Sequence, residues 1–233
     1  PPTDLVVLKQ DVPPLPYSLS ASARGEYRGI VEVDINELGR VTGSIAGTHV
    51  AGSTEAMGRL QHEPQRYYQR PDATHLELDP TATSMDGWTG SVNLNRNAGI
   101  HIVNAALWGV SPGFESNDAG FTFNTDRGGM HAVYQWRNPK VTRYARNRNV
   151  SVAKWYTWNF ARELQGDGVH IFANMELKNY WGLTGGAGVF QRVQDDRGTR
   201  GGPSMASPRA WSTWFGIDSD RRKRISPGAN VNW

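Results

Sequence analysis

Residues 150–177, VSVAKWYTWNFARELQGDGVHIFANMEL, constrain the fold more than any other stretch of the chain. Side chains of a strand point alternately to the two faces of its sheet. In the second half, Val169, Ile171, Ala173, Met175 and Leu177 share one parity. His170, Asn174, Glu176 and Lys178 share the other, with Phe172 as the apolar exception. The first half repeats this less cleanly, with Val150, Val152, Tyr156, Trp158 and Phe160 against Ser151, Thr157 and Asn159. Gln165-Gly166-Asp167-Gly168 lies between the halves and has the Gly/Asp chemistry of a hairpin turn. The stretch predicts two long antiparallel strands, each apolar on one face and polar on the other. Soluble sandwiches and membrane barrels both use such hairpins.

Composition narrows the choice. The chain has 233 residues, 38% of them hydrophobic, and no run approaches the roughly 20 apolar residues of a membrane-spanning helix. A membrane β-barrel stays open, because its strands are apolar only at every second position. Cysteine is absent, which excludes a disulfide framework and cysteine metal sites. A net charge of +3 is too small to point to nucleic acid. The nine Trp, eight Tyr and 26 Gly carry more information. Tryptophan on alternating strands fits aromatic girdles at a bilayer interface, and it also fits sugar-stacking platforms. The opening Pro1-Pro2-Thr3-Asp4 has no signal-peptide character.

Along the chain, residues 1–28 are proline- and Ser/Ala-rich and read as a tail or linker. Residues 29–233 read as one antiparallel β domain. Strands are expected at 29–36, 41–50, 88–95, 100–109, 121–124, 130–137, the two halves of 150–177, 183–193, 211–218 and 225–233. Residues 56–60 can form a helical turn, and 66–72 reads as an extended segment ended by Pro71. Connections at 51–84, 110–120 and 138–149 are long, and those at 96–99, 125–129 and 165–168 are short. Bacterial barrels alternate long outer loops with short periplasmic turns. The alternation fails at 179–182, which is short where a long loop is due.

Several segments, in this order, resemble a known family. They are 41–52 (VTGSIAGTHVAG), 66–72 (RYYQRPD), 111–121 (SPGFESNDAGF), 179–188 (NYWGLTGGAG), 197–203 (RGTRGGP) and 218–233. Together they are similar to the C-terminal β-barrel domain of unknown function of bacterial proteins that begin with a family-nine-like carbohydrate-binding module. The resemblance covers roughly residues 30–233. It implies an all-β, up-and-down antiparallel meander forming part of a transmembrane β-barrel in the bacterial outer membrane. The chain would be a fragment of that barrel, with the sugar-binding module supplied by other sequence.

Candidate chemistry sits in the loops. Glu115 and Asp118, flanking Ser116-Asn117, can be read as a carboxylate pair for glycoside hydrolysis or as oxygen ligands for calcium. The plainer reading is a loop whose Asn and Asp side chains bond their own backbone. Asp195, Asp196, Arg197 and Arg200 form a second polar loop, for which salt-bridged packing is favoured over catalysis. Trp155, Tyr156, Trp158, Tyr180 and Trp181 are a sugar platform or, preferably, a membrane girdle. Arg221-Arg222-Lys223-Arg224 reads as a solvated turn. The six histidines (49, 62, 75, 101, 131, 170) show no metal-ligand spacing. The expectation is an outer-membrane barrel domain with a structural or transport-linked role and no catalysis, cofactor or metal. Its partners would be the lipid bilayer, lipopolysaccharide and carbohydrate, and not nucleic acid. A soluble carbohydrate-binding or glycoside-hydrolase-associated β-sandwich is the alternative. A sandwich buries its apolar rows against a second sheet, whereas a barrel turns them outward.

Overall fold

A computed structural model describes residues 30–33, 40–116 and 124–233, with side chains from residue 42 onward. Ten strands form one antiparallel sheet in strict chain order. They are β1 (Ile30–Val33), β2 (Arg40–Ala51), β3 (Ser84–Arg96), β4 (His101–Val110), β5 (Arg127–Asn138), β6 (Ala145–Trp158), β7 (Leu164–Leu177), β8 (Gly182–Phe190), β11 (Ala210–Asp218) and β12 (Gly228–Asn232). Two short strands between β8 and β11, β9 (Val193–Asp195) and β10 (Met205–Ser207), pair with each other as a ribbon. The helix α1 (Thr54–His62) follows β2. The expected all-β meander is therefore present. Among the described residues the sheet is open, with β1 and β12 at its edges. The expected tail at 1–28 lies outside the described residues.

The central hairpin turns five residues earlier than its glycines advertise. Gly166 and Gly168 lie inside β7, and the chain reverses at 159–163. Asn159 closes this turn: its N–H donates to the Glu163 carbonyl (3.1 Å) and its Oδ1 accepts from the Glu163 N–H (2.9 Å). Arg162 supplies the positive φ of 66°. The glycines serve packing instead, because a Cβ on Gly168 would fall 2.1 Å from Cζ2 of Trp155. Other expectations also shift. Residues 56–60 belong to a nine-residue helix started by Ser53, whose hydroxyl accepts from the Ala56 N–H (3.3 Å). Residues 66–72 form tight turns rather than an extended segment, with Tyr67 at φ 49°. Most of the anticipated strand at 121–124 falls outside the described residues, and β4 pairs directly with β5, which begins at Arg127.

These shifts restore the alternation that failed in the sequence. The connections after β2, β4, β6 and β8 share one end of the sheet; three of them are long (52–83, 111–126, 191–209) and one is tight (159–163). The opposite end carries 97–100, 139–144, 178–181 and 219–227, all short. Residues 179–182 thus fall at the short end.

Register then assigns every side chain to a face. Ile45, Val92, Leu94, Leu107, Met130, Val152, Val169, Ile171, Phe215 and Val231 all lie on one side and are exposed, Leu107 at 54% and Phe215 at 55%. The other side is more sheltered and polar. Ser44 bonds Ser91 (2.9 Å), Asn149 donates to Asn174 (2.7 Å), and Asn95, Asn104 and His131 form a cross-strand chain. The few buried apolar residues, Val50, Met57, Ala73, Ala106, Phe114 and Ala145, mostly gather at the long-connection end. No helix among the described residues is long and apolar enough to cross a membrane, which leaves strands unaddressed.

The packing role of Gly168 is testable. Gly168→Ala must displace the Trp155 indole and is expected to destabilise the fold by about 1–3 kcal/mol. Gly58→Ala on α1 meets nothing within 4 Å and should stabilise by up to about 1 kcal/mol. Thermal unfolding midpoints of the two variants should move in opposite directions.

Candidate functional site

The long connections converge on one buried polar cluster beside the inner ends of β2 and β5. It begins with the exit from α1. The Glu63 N–H bonds the Leu60 carbonyl (3.3 Å), and both Arg66 and Tyr67 then donate to the Glu63 carbonyl (2.8 and 2.9 Å). Tyr67, with its positive φ, reverses the chain so that the Tyr68 N–H reaches the Gln61 carbonyl (3.0 Å). Gln61 is itself buried and clasps the backbone of Asp79 with both ends of its amide (2.9 and 2.8 Å). These turns point Arg66 and Arg70 into the cluster.

Four guanidiniums meet four carboxylates there. Arg66 donates to Glu63 (2.7 Å), to Glu115 and to the Phe114 carbonyl (2.7 Å). Arg70 bridges Asp126 (3.0 Å) and Asp196 (2.7 Å). Arg127 grips both oxygens of Asp196 and donates to the Asp126 carbonyl (3.0 Å). Arg197 donates to the carbonyls of Arg66 (2.7 Å) and Thr125 (3.0 Å). Asp126 also accepts from the Phe160 N–H (3.0 Å) and contacts His75 Nε2 (2.9 Å). One network therefore spans the connections after β2, β4, β6 and β8. It docks on the sheet through Thr48, whose hydroxyl accepts from the Glu115 N–H (3.2 Å), and through Gln165, which accepts from the Asp196 N–H (3.2 Å).

Electrostatics fit a clamp. Burial alone would raise the Asp196 carboxyl, but the guanidiniums of Arg127, Arg197 and Arg70 overcome it and hold the group below its ordinary value. Burial lowers Arg197 to about 10, helped by Arg127. Burial also pushes Tyr68 up to about 12 and raises Glu63 against the pull of Arg66. No group of three or more His, Cys, Asp or Glu among the described residues has the arrangement to hold a metal ion.

The anticipated loop residues divide three ways. Glu115 and Arg197 belong to the clamp. Asp195 and Arg200 shape the adjoining turn: Asp195 Oδ1 accepts from the N–H groups of Arg197 and Gly198 (both 2.9 Å), and Arg200 sits at φ 55°. Asn117 and Asp118 lie outside the described residues. The proposed aromatic set does not form one platform. Trp155 faces the polar side, while Tyr156 and Trp158 face the apolar side. Tyr180 and Trp181 lie at the opposite end, where Tyr180 is stacked by Arg146 (4.1 Å) and Arg222 (3.0 Å). Sequence reasoning gave no role to Arg66, Arg70, His75, Asp126 and Arg127. Their available signal was the RYYQRPD segment and two Asp-Arg dipeptides, Asp126-Arg127 and Asp196-Arg197, in separate connections.

A family profile described as a domain of unknown function, DUF5916, matches residues 47–233. No significant match to the chain is found among curated proteins or among solved structures.

The clamp makes two expectations. Asp196→Asn leaves two buried guanidiniums short of a counter-charge and should cost about 3–5 kcal/mol, measured as a shift in the chemical unfolding midpoint. Its depressed carboxyl also sets a pH window. The stabilisation is complete above the ordinary value of 3.8 and is lost as pH falls through the lower folded value. Hydrogen exchange in residues 66–76, corrected for intrinsic rate, should accelerate below about pH 4 while the β6–β7 ladder stays protected.

Proposed function

The chain belongs to the DUF5916 family, and from its geometry we propose that it forms the wall of a bacterial outer-membrane β-barrel, with a structural or transport-linked role. The observation that carries this is the inverted pattern of the sheet, whose apolar row is exposed and whose polar row is sheltered. In water that arrangement leaves a very large apolar patch uncovered. In lipid it is the stable one once the edges of β1 and β12 are paired in a closed barrel, because the bilayer then solvates the apolar row and the ladders satisfy the backbone.

Three further features support the reading. Aromatic residues mark both margins of the outward row: Trp88, Trp158 and Trp211 toward the long connections, Tyr134 and Trp136 toward the short ones. Trp136 is level with Val150, and the eight steps from there to Trp158 span about 26 Å along β6, or about 20 Å of membrane depth at the strand tilt of such barrels, most of their apolar band. The one charged pair in the middle of this row is neutralised internally, since Lys154 bonds Asp167 and lies 4.2 Å from the Tyr156 ring centroid. Long connections at one end and short turns at the other match outer loops and periplasmic turns. The bilayer and lipopolysaccharide would then cover the outward row, the clamp would brace the outer mouth, and a carbohydrate-binding module would come from other sequence of the full protein. The sandwich alternative needs a second sheet over Leu107, Ile171 and Phe215, and none covers them among the described residues.

The chain has no cysteine, so single-cysteine labelling is clean. In the full-length protein in membranes, cysteine at Val169 or Ile171 should resist an aqueous maleimide, and cysteine at Asn174 or Glu176 should react. Equal reactivity of both rows, or a soluble protein with the apolar row buried, would overturn the barrel.

A further inference from the structure

Three indoles face the polar side of the sheet: Trp108 on β4, Trp155 on β6 and Trp214 on β11. Each stands directly opposite a glycine on one neighbouring strand, pairing with Gly129, Gly168 and Gly186 in turn. Each ring lies across its glycine. A Cβ would fall 2.5 Å from Trp108 at Gly129, 2.1 Å from Trp155 at Gly168 and 2.3 Å from Trp214 at Gly186. The ring is thereby laid back against the sheet, and each tryptophan remains partly exposed. On its other side each indole has a polar partner in register: Ser91 for Trp108, His131 for Trp155 and Asn232 for Trp214.

The surroundings define what such a surface binds. Between the clamp and the level of Arg137 and Glu176, inward positions on β3–β8 carry Asn, Ser, Thr, His and Gln, interspersed with apolar residues such as Ile102, Val133 and Phe172, but no charged side chain. A charged ligand would find no counter-ion there. A purely apolar one would leave the remaining hydrogen-bonding capacity of these groups unused, such as Asn149 Oδ1, which accepts no bond within the protein. A pyranose chain satisfies both requirements. Its C–H faces stack on indoles, and its hydroxyls both donate to and accept from amide, imidazole and hydroxyl groups.

We infer that the polar face is a binding track for a neutral oligosaccharide, with Trp108, Trp155 and Trp214 as its stacking surfaces. The inference rests on the reading of this face as the barrel lumen. The full-length protein, folded in detergent, is titrated calorimetrically with maltohexaose and cellohexaose, and with an oligogalacturonate as the charged control. At least one neutral hexaose binds, and the charged chain does not. Trp155→Ala and Trp214→Ala each weaken binding about three- to tenfold. Trp211→Ala, on the outward row, leaves it unchanged. His131→Ala and Ser91→Ala keep the indoles on their glycines and also weaken binding, so the test survives a tryptophan variant that fails to fold. Absence of binding by both neutral hexaoses, preference for the charged chain, or equal loss in the outward variant overturns the track. Cysteine labelling on the same preparation separates the two failures. Correct labelling without sugar binding removes the track alone, whereas reversed labelling removes the barrel as well.

Discussion

Everything in this molecule depends on register. Nine antiparallel ladders run from β1 to β12, and a slip of one residue in any of them would exchange the two faces beyond it. The ladders are continuous except in the β6–β7 pair, where irregularities lie near Ala145 and at Thr157/Trp158. Their position at the ends of the hairpin leaves the central pairs, from Arg148↔Met175 to Trp155↔Gly168, in step. One parity therefore stays apolar from Ile45 to Val231, and the other stays polar from Ser44 to Asn232. With so few buried apolar side chains among the described residues, this part of the fold draws little from a conventional core. Its backbone hydrogen bonds and whatever solvates the apolar row must carry the stability.

The clamp solves a different problem. Long connections are entropically expensive to order, and among the described residues the buried apolar material available to them is little more than Val50, Met57, Ala73 and Phe114. Paired guanidiniums and carboxylates take the place of a larger core. Arg70 alone joins the connection after β2 to those after β4 and β8, through Asp126 and Asp196. Such pairing gains little net stability over an apolar core, but it penalises every arrangement in which one charge lacks its partner. That penalty selects a single arrangement of four connections with little hydrophobic material to specify it.

Alternation made the faces legible in the sequence, because period two survives wherever one side of a strand is apolar. It recovered the central hairpin and the polarity of β3 and β11, whereas the meander order was what the family resemblance implied. Turns were less legible. Gly166 and Gly168 look like a turn on composition, yet Asn159 and Arg162 make it, since a side chain that caps its own loop does the work glycine does elsewhere. The clamp was legible only as scattered segments. RYYQRPD read as an extended segment and SPGFESND and RGTRGGP as polar loops, and their meeting is a long-range contact between Arg66, Glu115 and Arg197 that no local pattern encodes.

Five of the nine tryptophans, whose role composition alone left open between girdle and sugar platform, share one structural arrangement with glycine. Indoles are bedded on cross-strand glycines on both faces. On the apolar side, Trp88 lies over Gly109 and Trp158 over Gly128; on the polar side are the beds of Trp108, Trp155 and Trp214. A β-carbon at these positions would force each ring to shift, so the glycines act as seats rather than as turn residues. The device is the same on both faces, and the neighbours decide what it does. Beside Trp88 and Trp158 stand Ile45, Val92, Leu107 and Phe160, which only an apolar medium would wet. Beside the polar-side indoles stand Ser91, His131 and Asn232, which add hydrogen-bonding groups to the surface. A girdle and a sugar platform are therefore compatible readings of one composition, separated by the parity of the strand position on which each tryptophan falls.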